Sequence, residues 1–138
     1  MKKFYKIAIL PYIFILIYLM FFGYGRFQMD DYGLKISPIL STVQFFQRNA
    51  ERGNWMNIFV NVFGNIVMFV PFGFMGWIFL KFQNFKPLLI SFLSFLLIVE
   101  SLQYFTRLGF FDVDDVLLNT LGLWIGFRIW KFFNLKTR

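Results

Sequence analysis

The chain has 138 residues, of which 59% are hydrophobic, 24% aromatic and 15% charged, with a mean hydropathy of +0.63 and a formal net charge of +7. A water-soluble domain is about 45 to 50% apolar and about 25% charged, so the surplus apolar surface has to meet lipid. With no cysteine and no histidine, the composition excludes disulfides, a thiolate nucleophile, a Ser-His-Asp triad, a histidine base and Cys/His zinc or haem ligation.

The first apolar run covers residues 7–22 and follows Lys2, Lys3 and Lys6. No small-residue cleavage pattern succeeds it, so a retained anchor is expected rather than a removed signal peptide. In the loop beyond, Ser37 and Pro38 read as an N-cap and first-turn pair. Leu40, Val43, Phe46 and Ala50 then recur at helical spacing before Gly53 closes the segment. This pattern predicts an amphipathic helix on the outer membrane surface, with an ordered loop packed over the bundle as the alternative. The second span is expected over residues 56–80, bent at Pro71 where an N–H is missing. The third covers residues 88–105 and the fourth residues 115–133, each long enough for a hydrocarbon core of about 30 Å. The expected fold class is therefore all-α: a polytopic membrane bundle of four transmembrane helices plus the surface helix. Residues 1–138 are expected to form one membrane domain.

The basic residues sit at helix ends, which argues against a nucleic-acid partner despite the positive charge. Nine of them (Lys2, Lys3, Lys6, Lys81, Lys86, Arg128, Lys131, Lys136 and Arg138) flank one side of the four spans, against five (Arg26, Lys35, Arg48, Arg52 and Arg107) on the other. The positive-inside rule then places both termini in the cytoplasm of a multi-pass cell-membrane protein. Five of the seven acids, Asp30, Asp31, Glu51, Asp112 and Asp114, fall in the outer loops.

Polar side chains inside spans are costly, about 2.5 to 3.5 kcal/mol for a central charge on insertion scales, so their placement is informative. Asn57, Asn61 and Asn65 recur every four residues of the second span; Glu100, Gln103 and Arg107 share a face of the third; Asp115, Asn119, Gly122 and Gly126 stripe the fourth, with Trp124 on the opposite side. At about 1.5 Å per residue, all three stripes reach the outer half of the membrane. The expected functional cluster is Asn61, Asn65, Glu100, Gln103, Arg107, Asp112, Asp115 and Asn119. Asparagines that merely glue helices by hydrogen bonds of about 0.6 kcal/mol are the structural alternative. Gly122 and Gly126 are expected to allow close packing within the protomer rather than a dimer contact.

Three stretches resemble the VanZ-like family of small bacterial membrane proteins: NVFGNIVMFVPFG from Asn61 to Gly73, VESLQYF from Val99 to Phe105, and DVDDVLLNTLGLWIGF from Asp112 to Phe127. The resemblance covers roughly the C-terminal 80 residues and carries over Asn61, Asn65, Glu100, Gln103, Asp112, Asp115 and Asn119. Many members place an arginine close before the Asp-x-Asp-Asp run, whereas Leu108, Gly109, Phe110 and Phe111 separate Arg107 from Asp112 here. The resemblance implies an integral membrane protein of the cell envelope, linked to lowered susceptibility to the glycopeptide teicoplanin.

Three functions are compatible with this pattern. In the first, a non-enzymatic protein uses the outer polar cluster to bind an envelope lipid, another envelope component or an amphiphilic drug such as a glycopeptide; no cofactor and no metal is expected, and the bilayer is the sure partner. In the second, paired carboxyls, or Asp112, Asp115 and Glu100 around Mg²⁺ or Ca²⁺, act on a lipid-linked envelope substrate. In the third, a small transporter titrates Glu100, against which stand the almost wholly apolar cytoplasmic halves of the spans. Oligomeric state is open on sequence alone.

Overall fold

A computed structural model describes residues 2–23, 34–35, 40–108 and 111–135. Five α-helices follow one another: α1 (Lys2–Phe22), α2 (Leu40–Glu51), α3 (Trp55–Phe69), α4 (Phe85–Thr106) and α5 (Val113–Leu135). Two residue pairs, Leu34–Lys35 and Phe111–Asp112, form a minimal two-stranded ladder, and the architecture is all-α. Among the described residues, four stretches are long and apolar enough to cross a membrane: Lys2–Phe22, Trp55–Trp77, Phe85–Thr106 and Val113–Asn134. Their outward faces carry large apolar side chains, with Phe4, Ile7, Phe14, Met56 and Phe105 among the most exposed. Such surfaces are stable only against hydrocarbon.

The helices run past the expected spans at several ends. α1 takes in Lys2, Lys3 and Lys6 and continues through Pro11, because a helix keeps its backbone groups paired internally and lysine is a good helix former. The surface helix falls where its spacing predicts, from Leu40 to Glu51; the expected cap at Ser37 and Pro38 lies outside the described residues. Gly53, at φ +67°, closes α2. Its N–H donates to Ala50 O at 3.0 Å while that of Asn54 donates to Asn49 O at 2.8 Å. This double bond pattern around a left-handed residue is a Schellman cap.

The second span ends at Trp77 rather than Leu80, and Pro71 does more than bend it. From Val70 to Trp77 the chain is a 3₁₀ helix. The Val70 N–H donates to Val67 O, three residues back, instead of to Ile66 O. Pro71 has no N–H for the Val67 carbonyl, so the tighter bond supplies it. A 3₁₀ run of eight residues is long for this conformation.

By its internal contacts the chain forms two compact units, one holding α1 and α4 and the other α2, α3 and α5. In the first unit α4 buries Leu88, Phe92, Leu96 and Val99 on one face, with Glu100 and Gln103 continuing it, while α1 buries Ile9 and Leu16. Tyr5 meets Trp77 edge to face, with ring centroids 5.4 Å apart.

The second unit is organised by α3 and α5, the most closely packed helix pair. A Cβ at Gly122 would overlap the carbonyl oxygen of Ile66, and one at Gly126 that of Val70. The register advances by four residues on both helices, so α3 and α5 run in the same direction and their N-terminal ends lie at the same level. Gly73 returns the contact, since its Cβ would strike the backbone of Gly126 and Phe127. The two glycines of α5 thus pack inside the protomer, letting the backbones approach where a side chain would hold them apart. Trp124 faces outward on the opposite side, 45% exposed, under the guanidinium of Arg128.

Gly126→Leu is expected to force the seam apart and to lower stability by about 1 to 3 kcal/mol or more. A Cβ at Gly64 would meet nothing within 4 Å, so Gly64→Ala is expected to be neutral or stabilising by about 0.5 to 1 kcal/mol. Thermal unfolding of the two variants in detergent checks the contrast.

Candidate functional site at the helix ends

At the start of α5, Asp112 accepts a hydrogen bond on Oδ1 from the N–H of Asp114 at 3.0 Å. That places Asp112 at the N-cap, where a carboxylate satisfies an unpaired amide of the first turn and is worth about 1 kcal/mol. Asp114 and Asp115 occupy the first turn itself, complementing the positive end of the helix dipole. Asp114 is buried at 6% exposure and is not among the expected cluster residues. The signal for it lies in the run of Asp112, Asp114 and Asp115: consecutive helical residues diverge by about 100°, so two adjacent acids at a helix start face different surroundings.

Asp115 faces the seam with α3. Its Oδ1 accepts a hydrogen bond from Asn65 Nδ2 at 2.8 Å, joining residues far apart in the chain. One turn further along α5, on the same face, Asn119 is 2% exposed, and its Oδ1 has no hydrogen-bond partner among the described residues. Gly122 follows in the same stripe. This end of the seam therefore gathers a carboxylate and two carboxamides against closely packed backbone. An unmade hydrogen bond at a buried oxygen costs about 1 to 3 kcal/mol, so Asn119 is an expensive residue to keep there.

Asn61 behaves differently from its neighbour in the asparagine stripe. It is exposed and hydrogen-bonds no other cluster residue among the described ones, because α3 turns only part of that arc towards α5. Asn57, at the start of the same stripe, instead donates from Nδ2 to Asn49 Oδ1 at 3.4 Å, tying α2 to α3.

In the first unit, Glu100 and Gln103 are each 2% exposed. Gln103 donates from Nε2 to the carbonyl of Met20 at 2.7 Å. Met20 lies in the last turn of α1, where carbonyls have no intrahelical donor, so Gln103 caps one helix from another. Arg107 ends α4 at φ 59°, the one non-glycine residue with positive φ among the described residues. Its N–H donates to Tyr104 O at 3.2 Å and that of Leu108 to Gln103 O at 3.1 Å. This repeats the cap that closes α2, with arginine in the position glycine holds there. A left-handed residue with a Cβ costs roughly 1 to 2 kcal/mol. Glycine would remove that strain, so an arginine retained there points to a use for its side chain. Among the described residues, no group of three acids is placed to hold a metal ion.

Residues 9–134 match the VanZ/LLP1 family. The chain belongs to that family. Among curated relatives of this VanZ/LLP1 protein is Protein VanZ of Enterococcus faecium, 28% identical over 102 residues, an alignment covering 70% of this chain and 61% of that protein. The chain thus aligns with about three fifths of that relative. No solved structure matches the chain.

The strained cap makes a separable prediction. Arg107→Gly and Arg107→Val both remove the guanidinium, but only valine adds β-branched crowding to the left-handed backbone. Arg107→Gly is expected to be the more stable of the two by about 1 to 2 kcal/mol, read from their thermal unfolding.

Proposed function

We propose that this VanZ/LLP1 protein is a non-enzymatic component of the bacterial cell envelope that lowers susceptibility to glycopeptides such as teicoplanin. It acts by binding an envelope component or the amphiphilic drug at the polar ends of its helices. Family membership and the similarity to Protein VanZ support the envelope role. The observation that carries the binding role is the group formed by Asn65, Asp115 and Asn119, above all the buried Asn119 oxygen that no described residue satisfies. An apolar residue of similar size would fill that position with no buried acceptor left unmet.

The proposed orientation has both termini in the cytoplasm, from nine basic residues flanking one side against five on the other. The N-terminal ends of α3 and α5 and the C-terminal end of α4 then face outward. Asn61 and Asp112 join the first polar group at its rim, Asp112 chiefly as a cap. Glu100, Gln103 and Arg107 are proposed to serve the same function on α4, Gln103 partly through its hold on α1. The bilayer is the standing partner.

The test is teicoplanin susceptibility of a sensitive Gram-positive host expressing the chain, beside Asp115→Asn, Asn119→Leu and Glu100→Gln at matched membrane levels. The wild type is expected to lower susceptibility and each substitution to weaken that effect. A wild type that is well expressed and without effect, or three variants indistinguishable from it, overturns the reading.

A further inference from the structure

We propose that the lysine-bearing end of the first unit binds the headgroup of an anionic phospholipid, through Lys2, Lys3 and Lys6 of α1 with Lys81 and Lys86 around the start of α4. The edge-to-face contact of Tyr5 with Trp77 brings the beginning of α1 beside the chain that leads into the Leu80–Gln83 turn. Asn84 follows that turn and precedes α4. At the far end, the Gln103 bond to the Met20 carbonyl ties the last turns of the same two helices. α1 and α4 therefore start at one end of the unit and finish at the other. All five lysines are exposed.

The charge at this end has one sign. No acid occurs before Asp30 or from Arg52 to Val99. Glu100 lies about 20 Å along α4 from Lys86, beyond the Debye length of about 8 Å at physiological ionic strength. The placement also runs against the helix dipole, whose positive end disfavours cations. Lys2, Lys3 and Lys6 occupy the opening turns of α1 and Lys86 the first turn of α4, and neither first turn holds an acid. Asn84 gives α4 no side-chain cap. A bound anion relieves the repulsion among the lysines and complements both helix starts. The neighbouring side chains select the kind of anion. Phe4, Ile7 and Leu80 stand exposed among the lysines, and Tyr5 with Trp77 forms an amphipathic ring pair suited to the headgroup level. A nucleic acid or a free phosphate would leave those apolar groups against water, whereas a phospholipid covers them with its chains while its phosphate meets the ammonium groups.

The lysine surface uses none of the residues of the proposed envelope or drug site, so either can fail alone. Its test is thermal unfolding of the purified, delipidated full chain in an uncharged detergent, titrated with dioleoylphosphatidylglycerol, dioleoylphosphatidylcholine or glycerol 3-phosphate. A saturable rise in Tm is expected with phosphatidylglycerol alone, because a lipid that binds only the folded state stabilises it by mass action. Lys81→Gln with Lys86→Gln, and separately Lys2→Gln with Lys3→Gln, are expected to raise the half-saturating phosphatidylglycerol concentration roughly fivefold for each lysine removed. Arg128→Gln with Lys131→Gln removes the same charge from α5 in the other unit and is expected to leave that concentration unchanged. An equal rise with phosphatidylcholine or with glycerol 3-phosphate overturns the proposal, as does no rise with any of the three. Equal weakening in the α5 control, or none in the lysine variants, overturns it as well.

Discussion

The close approach of α5 to α3 is the constraint on which the second unit depends. In lipid, helices gain nothing by burying apolar side chains against each other, because the hydrocarbon outside is as apolar as the contact inside. Association then rests on van der Waals packing and on polar contacts between backbones. Gly122 and Gly126 bring α5 down onto the carbonyls of Ile66 and Val70, and Gly73 admits α5 from the other side. Pro71 contributes by turning the chain after Phe69 into a 3₁₀ helix, which releases the Ile66 carbonyl from its usual amide. One proline and three glycines thereby form a single device.

That device also sets the level of the polar residues. Parallel packing in steps of four residues puts the starts of α3 and α5 side by side, so Asn65 reaches Asp115 and Asn119 is carried into the interior. A slip of one turn along either helix would bring a side chain of α3 against carbonyl-facing glycine, or a Cβ of α5 against backbone, and the seam would open. The polar group is therefore held by apolar and backbone contacts deeper in the membrane, and its geometry is that of rigid helices rather than of a loop.

The helix ends show how polar residues divide between structure and use. Asp112 satisfies an amide, Gln103 satisfies a carbonyl of α1, and Asn57 ties α2 to α3; each makes a bond that a helix terminus or loop would otherwise leave to water. Asn119 and Arg107 do the reverse. The first leaves a buried oxygen that no described residue meets, and the second holds a left-handed turn that glycine takes at the end of α2. Local destabilisation of this kind persists where another demand sustains it, which separates these two residues from the caps around them.

Much of this was legible along the chain. Runs of apolar residues of membrane length, and the amphipathic spacing from Leu40 to Ala50 with Gly53 behind it, report local requirements that lipid imposes on any helix. The stripe of Asp115, Asn119, Gly122 and Gly126 follows from helical periodicity for the same reason. What periodicity leaves undetermined is the partner of each face and the course of the backbone around proline. Asn61 and Asn65 are equivalent by spacing, yet among the described residues only Asn65 hydrogen-bonds to α5. Asp112 reads as a site acid and also caps α5; Asp114 reads as a loop acid and is buried. Nothing in the order of residues announces that Pro71 opens eight residues of 3₁₀ helix, or that Arg107 adopts a left-handed conformation. These outcomes depend on which carbonyls and amides meet across helices, a balance of close backbone contacts that exists only once the helices have packed.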